Sequence, residues 1–260
     1  MDFSTGTVLL AFGLTLLAGM ATGIGSMIAF FAKRTDTRFL AVSLGFSAGV
    51  MIYVSFVEIF DKAREILEAE LGNRGGTWTT VSAFFAGFLL IAIIDKLVPS
   101  FENPHEMRMV EDLEEKRRPR NHHLMRLGLM SALAIGIHNF PEGLVTFTAT
   151  LQNPRLGLSI AIAIAIHNIP EGIAVSVPIF YATGSRRKAM LYSALSGIAE
   201  PVGALFGYFF LMAFFSEVLF GVLFASVAGI MVFISLDELL PSAQRYGEHH
   251  LAIYGLVSGM

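Results

Sequence analysis

Cysteine is absent from all 260 residues. Disulfides, thiolate metal ligands and thiol nucleophiles are excluded together, and any metal must be held by nitrogen and oxygen donors. Charge is scarce as well: Asp, Glu, Lys and Arg make up 15% of the chain against 54% hydrophobic residues, and mean hydropathy is +0.65. Such a composition leaves a soluble domain of this length too little polar surface. A formal net charge of −3 and the lack of a basic stripe exclude a nucleic-acid partner. No G-x-x-x-x-G-K-[ST] phosphate loop occurs, and no stretch between the apolar runs is long enough to fold as a nucleotide-binding or catalytic domain, so neither ATP drive within this chain nor an organic cofactor is expected.

What the chain does have is apolar runs of bilayer length, about 20 residues each. Seven such windows lie at 7–31, 39–60, 77–94, 127–151, 156–183, 189–215 and 218–236, and an eighth, 251–260, reads as an incomplete span. The sequence therefore predicts an all-α integral membrane protein, one polytopic bundle whose first partner is the lipid bilayer. The first window is too long for the core of a cleaved signal peptide and no basic segment precedes it, so it is expected to stay as a helix. Fourteen of the 18 Lys and Arg residues fall in odd-numbered connections: Lys33, Arg34 and Arg38; Lys96, Arg108, Lys116, Arg117, Arg118, Arg120 and Arg126; Arg186, Arg187 and Lys188; Arg245. By the positive-inside rule those connections are cytoplasmic and the N-terminus lies outside, in a multi-pass protein of the cell inner membrane. The longest connection, 99–124, is charged and broken by prolines, which reads as a flexible cytoplasmic loop. Its His105, His122 and His123 read as solvated polarity rather than a metal relay. Small residues four apart, at Gly19/Gly23, Gly45/Gly49, Ala83/Gly87, Gly203/Gly207 and Gly255/Gly259, predict close helix packing.

Within this apolar background one hexapeptide occurs twice, HNFPEG at 138–143 and HNIPEG at 167–172. Residues i and i+4 share a helix face, so His138 lies over Glu142 and His167 over Glu171. Successive spans run in opposite directions. The two copies should therefore meet head to tail about an approximate two-fold axis, bringing four metal-competent side chains near one point. Pro141 and Pro170 lack an N–H and should kink their helices, while Asn139 and Asn168 add neutral oxygens. An ionised side chain at a helix centre costs roughly 2.5–3.5 kcal/mol on insertion scales and marks an ion or substrate path. Glu142, Glu171 and Glu200 each stand in an apolar span with no Lys or Arg at the same depth to pair with. A divalent cation would neutralise them; alternatively they carry protons when empty, which metal entry expels. The predicted metal ligands are His138, Glu142, His167, Glu171 and Glu200. Glu58, near the outer end of the second span, is a candidate for ligand or entry residue, and Asp61 a weaker one. Asp237 and Glu238 read equally well as exit residues and as solvation of a helix end.

The paired HNFPEG and HNIPEG segments, with the glutamate of SGIAEPVGA in the sixth span, resemble the Zrt/Irt-like (ZIP) family of divalent metal transporters, and within it the bacterial ZupT-like branch. The stretches SLGFSAGVMIYVSFVEIF and SVAGIMVFISLDELLP extend the likeness over nearly the whole chain. The resemblance implies an eight-span helical bundle in a 3+2+3 arrangement, with the flanking triplets forming an inverted repeat. It also implies uptake toward the cytoplasm and two adjacent metal positions. One would use Glu58, His138, Glu142, His167 and Glu171; the other Asn139, Glu142, Asn168, Glu171 and Glu200. The function expected is secondary uptake of Zn²⁺, with Fe²⁺, Mn²⁺, Co²⁺ and Cd²⁺ as further cargo, because mixed imidazole and carboxylate donors hold all of these ions. The alternative is a membrane-embedded zinc-dependent hydrolase, which H-E-x-x-H would mark; that motif is absent. A homodimer is left open.

Overall fold

The computed structural model describes residues 3–31, 37–97, 120–211, 216–246 and 249–260. Every regular element among them is helical. Ten α-helices follow in order: α1 Thr5–Phe31, α2 Thr37–Tyr53, α3 Asp61–Leu97, α4 Arg120–Gln152, α5 Pro154–Thr183, α6 Arg186–Gly197, α7 Ala199–Phe206, α8 Glu217–Ile234, α9 Leu240–Tyr246 and α10 His249–Gly259. Three π-helical turns interrupt the sequence of α-helices, at Val54–Phe60 between α2 and α3, at Gly207–Leu211 after α7, and at Ser235–Leu239 between α8 and α9.

Five stretches are long and apolar enough to cross a membrane, by length and composition. One of them, Arg38–Lys96, has 59 residues. As straight helix it would be roughly 90 Å long, about three hydrocarbon thicknesses, which is far too much for one crossing. It is divided at Gly72, whose φ of 75° and ψ of 159° lie outside the helical region and suit glycine alone. The windows expected at 39–60 and 77–94 are thus the two arms of one helical run. Residues 61–71, expected as connection, are helix.

Other boundaries differ in the same way. Helix α4 begins at Arg120, so residues 120–124 of the expected 99–124 loop are helical, with the backbone of His122 and His123 in the first turn; His105 lies outside the described residues. The window at 189–215 breaks at Ile198, between α6 and α7. Beyond 236 the seventh window continues through a π turn into α9. The last helix, α10, has 11 residues, about 16 Å of rise and half the hydrocarbon thickness.

The helices sort into two packed groups. In one, α1 lies against α5 and α6, and α4 lies against α5 and α7; in the other, α3 packs on α8, and α2 on α10 and α9. Small residues set the closest approaches. A Cβ added at Gly45 or Gly49 would overlap the carbonyl of Ala252 or Leu256, and one added at Gly255 or Gly259 would overlap that of Val42 or Phe46. The two expected glycine pairs therefore pack on each other, backbone to backbone, across the α2–α10 contact. Between the groups lies a buried cluster that includes Leu44, Met51, Val145, Ile160, Ile164 and Phe224.

Candidate metal centre

Helices α4 and α5 run on through Pro141 and Pro170 and carry the two hexapeptides to one level. Their residues pair crosswise. His167 Nε2 lies 3.2 Å from Glu142 Oε1, and His138 Nε2 lies 3.4 Å from Glu171 Oε2. Each imidazole thus faces the carboxylate of the opposite helix rather than the one four residues along its own, which is what an antiparallel pair of identical motifs produces. The side chains of all four are buried, 3% exposed or less.

The asparagines reach sideways to the flanking helices. Asn168 Nδ2 donates to the Ala18 carbonyl on α1 at 3.0 Å and to Glu200 Oε1, and Asn139 Nδ2 donates to the Ser196 carbonyl on α6 at 3.4 Å. The motif glycines allow this. A Cβ at Gly172 would overlap the Thr22 carbonyl, and one at Gly143 the Glu200 carbonyl. Ala18 and Thr22 on α1 therefore do for the second hexapeptide what Ser196 and Glu200 do for the first, at one constant offset in numbering. Gly19 and Gly197 face each other reciprocally between the two sets.

Glu200 is held by the break at Ile198, which places it in the first turn of α7, just before Pro201. A carboxylate there meets the positive end of the helix dipole. It is fully buried, joined to the cluster through Asn168, and close enough for the charges of Glu142 and Glu171 to act on it. Ser47 on α2 donates to the His167 carbonyl at 3.4 Å, tying the second helix group to the centre. From the same side comes Glu238, on the π turn Ser235–Leu239: it is 8% exposed and its charge acts on His138. That burial speaks against reading Glu238 as solvation of a helix end. Glu58 stands apart. It is half-buried on the π turn Val54–Phe60 and makes no side-chain hydrogen bond or ion pair to the cluster among the described residues. Asp61, the other outer candidate, is paired with Arg64 at 2.6 Å on the surface.

Thirteen buried side-chain nitrogens and oxygens among the described residues lack a hydrogen bond. Eight of them belong to His138, Asn139, Glu142, His167, Asn168, Glu171 and Glu200. A buried polar atom left unsatisfied costs about 1–3 kcal/mol, and native interiors hold few. Their concentration here, mostly as lone pairs on oxygen and imidazole nitrogen, fits an ion that accepts them. No three His, Asp or Glu side chains among the described residues already enclose a single point as ligands. The four expected groups therefore come together as two couples rather than about one point.

Fold and site together define a polytopic helical membrane protein with a buried cluster of oxygen and imidazole donors between two antiparallel motif helices. A family profile described as "ZIP Zinc transporter" matches residues 100–260. The chain is 67% identical over 262 residues to the zinc transporter ZupT of Nitratidesulfovibrio vulgaris, covering 98% of this chain and 95% of that one. It is 64% identical over 256 residues to the ZupT of Lysinibacillus sphaericus (98% and 95%) and 55% identical over 262 residues to that of Akkermansia muciniphila (100% and 97%). The chain belongs to the ZIP zinc transporter family, in its ZupT-like branch.

Proposed function

We propose that this protein takes up Zn²⁺ across the inner membrane into the cytoplasm, as a secondary transporter whose cargo passes through the crossed His–Glu pocket. The observation that carries the reading is the pair of couples, His138 with Glu171 and His167 with Glu142, in a chain whose relatives are named zinc transporters. Zn²⁺ takes imidazole and carboxylate together at about 2.0–2.2 Å. An ion entering between the helices replaces the His167–Glu142 bond, parts His138 from Glu171, and satisfies nitrogens and oxygens that now have no hydrogen bond. Asn139, Asn168 and Glu200 form a second position beside the first, with Glu142 and Glu171 shared between them. Glu58, outside the cluster, serves as an entry residue. Fe²⁺, Mn²⁺, Co²⁺ and Cd²⁺ are further cargo on the same donor chemistry.

The orientation that follows from the basic connections puts the N-terminus outside. The matching contacts of Asn139 with α6 and Asn168 with α1 support an inverted repeat flanking the motif helices, in the 3+2+3 arrangement. The protein is no enzyme, and the zinc-dependent hydrolase reading has no support. The test is ⁶⁵Zn uptake into proteoliposomes. Glu142→Ala and Glu171→Ala proteins that still purify as folded monodisperse species should lose uptake; undiminished flux in both would refute the proposal.

A further inference from the structure

The two hexapeptides continue differently. After HNFPEG the chain reads LVT, and after HNIPEG it reads IAV, so Thr146 occupies the place that Val175 takes in the other copy. Both residues are fully buried, and each lies one helical turn beyond its motif glutamate on the same face. Val175 joins an apolar cluster with Ile135, Ile179 and Ala189. Thr146 is the exception to the way threonines are used in this helix. Thr148 and Thr150 each return their hydroxyl to a carbonyl four residues back, at 2.7 Å, whereas Thr146 Oγ1 has no hydrogen-bond partner. The register fixed by the two His–Glu couples sets Thr146 opposite Ala163 of α5, a small residue.

An unpaired hydroxyl held where its symmetry mate is an apolar valine is a cost that packing does not explain. In the orientation proposed above, α4 runs outward, so Thr146 is on the outer side of Glu142, and α5 runs inward, so Val175 is on the cytoplasmic side of Glu171. The position one turn beyond the motif glutamate is therefore polar on the outer side, at Thr146, and apolar on the inner one, at Val175. We propose that the Thr146 hydroxyl is an entry-side contact for the hydrated cation, accepting a hydrogen bond from a metal-bound water while Glu142 and His167 replace the rest of the shell. This rests on the transport reading of the same pocket and adds to it a residue and a direction. At the equivalent place on the inner side, Val175 offers no hydroxyl.

The test compares Thr146→Val, Thr146→Ser and Glu142→Ala in the same proteoliposomes, with melting of the purified proteins followed with and without Zn²⁺. In Thr146→Val, which copies the other motif, the metal-free protein should melt at or above the wild-type temperature, since an unpaired buried hydroxyl is removed. The added stabilisation by Zn²⁺ should shrink, and ⁶⁵Zn uptake at low concentration should fall roughly tenfold, the effect of one hydrogen bond to a charged group. Thr146→Ser should restore most of both. Wild-type uptake and Zn²⁺ stabilisation in Thr146→Val, alongside loss of uptake in Glu142→Ala, would overturn the inference and leave the pocket standing. Full uptake in Glu142→Ala would overturn both. A Thr146→Val protein that melts well below wild type without metal would show the hydroxyl to be structural and would likewise overturn it.

Discussion

Asn168 links the pocket to two flanking helices, and its replacement by leucine, close to it in size and shape, isolates the polar contribution. The substitution removes the bond to the Ala18 carbonyl and the bond to Glu200 Oε1. The Ala18 carbonyl keeps its place in the α1 ladder. Glu200 does not fare as well: its Oε2 is already unpartnered, so both of its oxygens would be stripped in a site with no exposure. A buried acceptor left in that state costs about 1–3 kcal/mol. Glu200→Leu alone should be milder, because Asn168 retains Ala18. With both residues changed to leucine, neither polar group is abandoned and most of the loss should be recovered. The expected coupling in a double-mutant cycle is about 1–2 kcal/mol, above the average of roughly 0.6 kcal/mol for polar pairs within membrane helices. Reversible unfolding in mixed micelles measures all four proteins. If the two effects add within about 0.3 kcal/mol, the bond drawn between Asn168 and Glu200 does not hold the centre together.

Other consequences are simpler to state. Gly49→Val or Gly255→Val should destabilise the protein by about 1–3 kcal/mol or more, since a side chain at either point meets the opposing backbone, whereas Gly23→Ala, which faces open space, should have little effect on the same melt. Because the chain has no cysteine, single cysteines report topology directly: Asn73→Cys should react with an impermeant maleimide on intact cells, and Arg187→Cys only after permeabilisation, with the reverse pattern refuting the orientation. Gln152→Leu, which removes a 3.1 Å bond to Glu217 between α4 and α8, should cost no more than about 1 kcal/mol in the mixed-micelle unfolding assay, because that pair is only partly buried.

The pocket was legible in the sequence because its signal is local and doubled. The i, i+4 spacing of His138 with Glu142 and of His167 with Glu171 fixes a shared face whatever surrounds it, and the opposite direction of neighbouring spans fixes how the copies meet. Which carboxylate each imidazole chooses is not local. It depends on the depth at which α4 and α5 are set against each other, and the structure answers with crossed couples. The π turns at Val54–Phe60 and Ser235–Leu239 were hidden for a related reason: one extra residue in a turn changes no apolar count, yet it rotates everything beyond it. Glu58 and Glu238 both sit on such turns, so helical spacing alone could not say that the first stays half-buried while the second is buried. The helical stretch 61–71 before the break at Gly72 was missed because its charged run from Asp61 to Glu70 has the composition of a connection, although Lys62 with Glu65 and Arg64 with Asp61 bridge successive turns of a helix there.

The crossed couples mean that this pocket is its own competitor. An empty site lined only by carboxylates would repel itself open or draw in whatever cation is at hand, but here Glu142 and Glu171 each face an imidazole. On the proposed reading, cargo is held only by the margin over that internal match. A narrow margin suits a transporter, which must let go on the far side as readily as it takes hold on the near one.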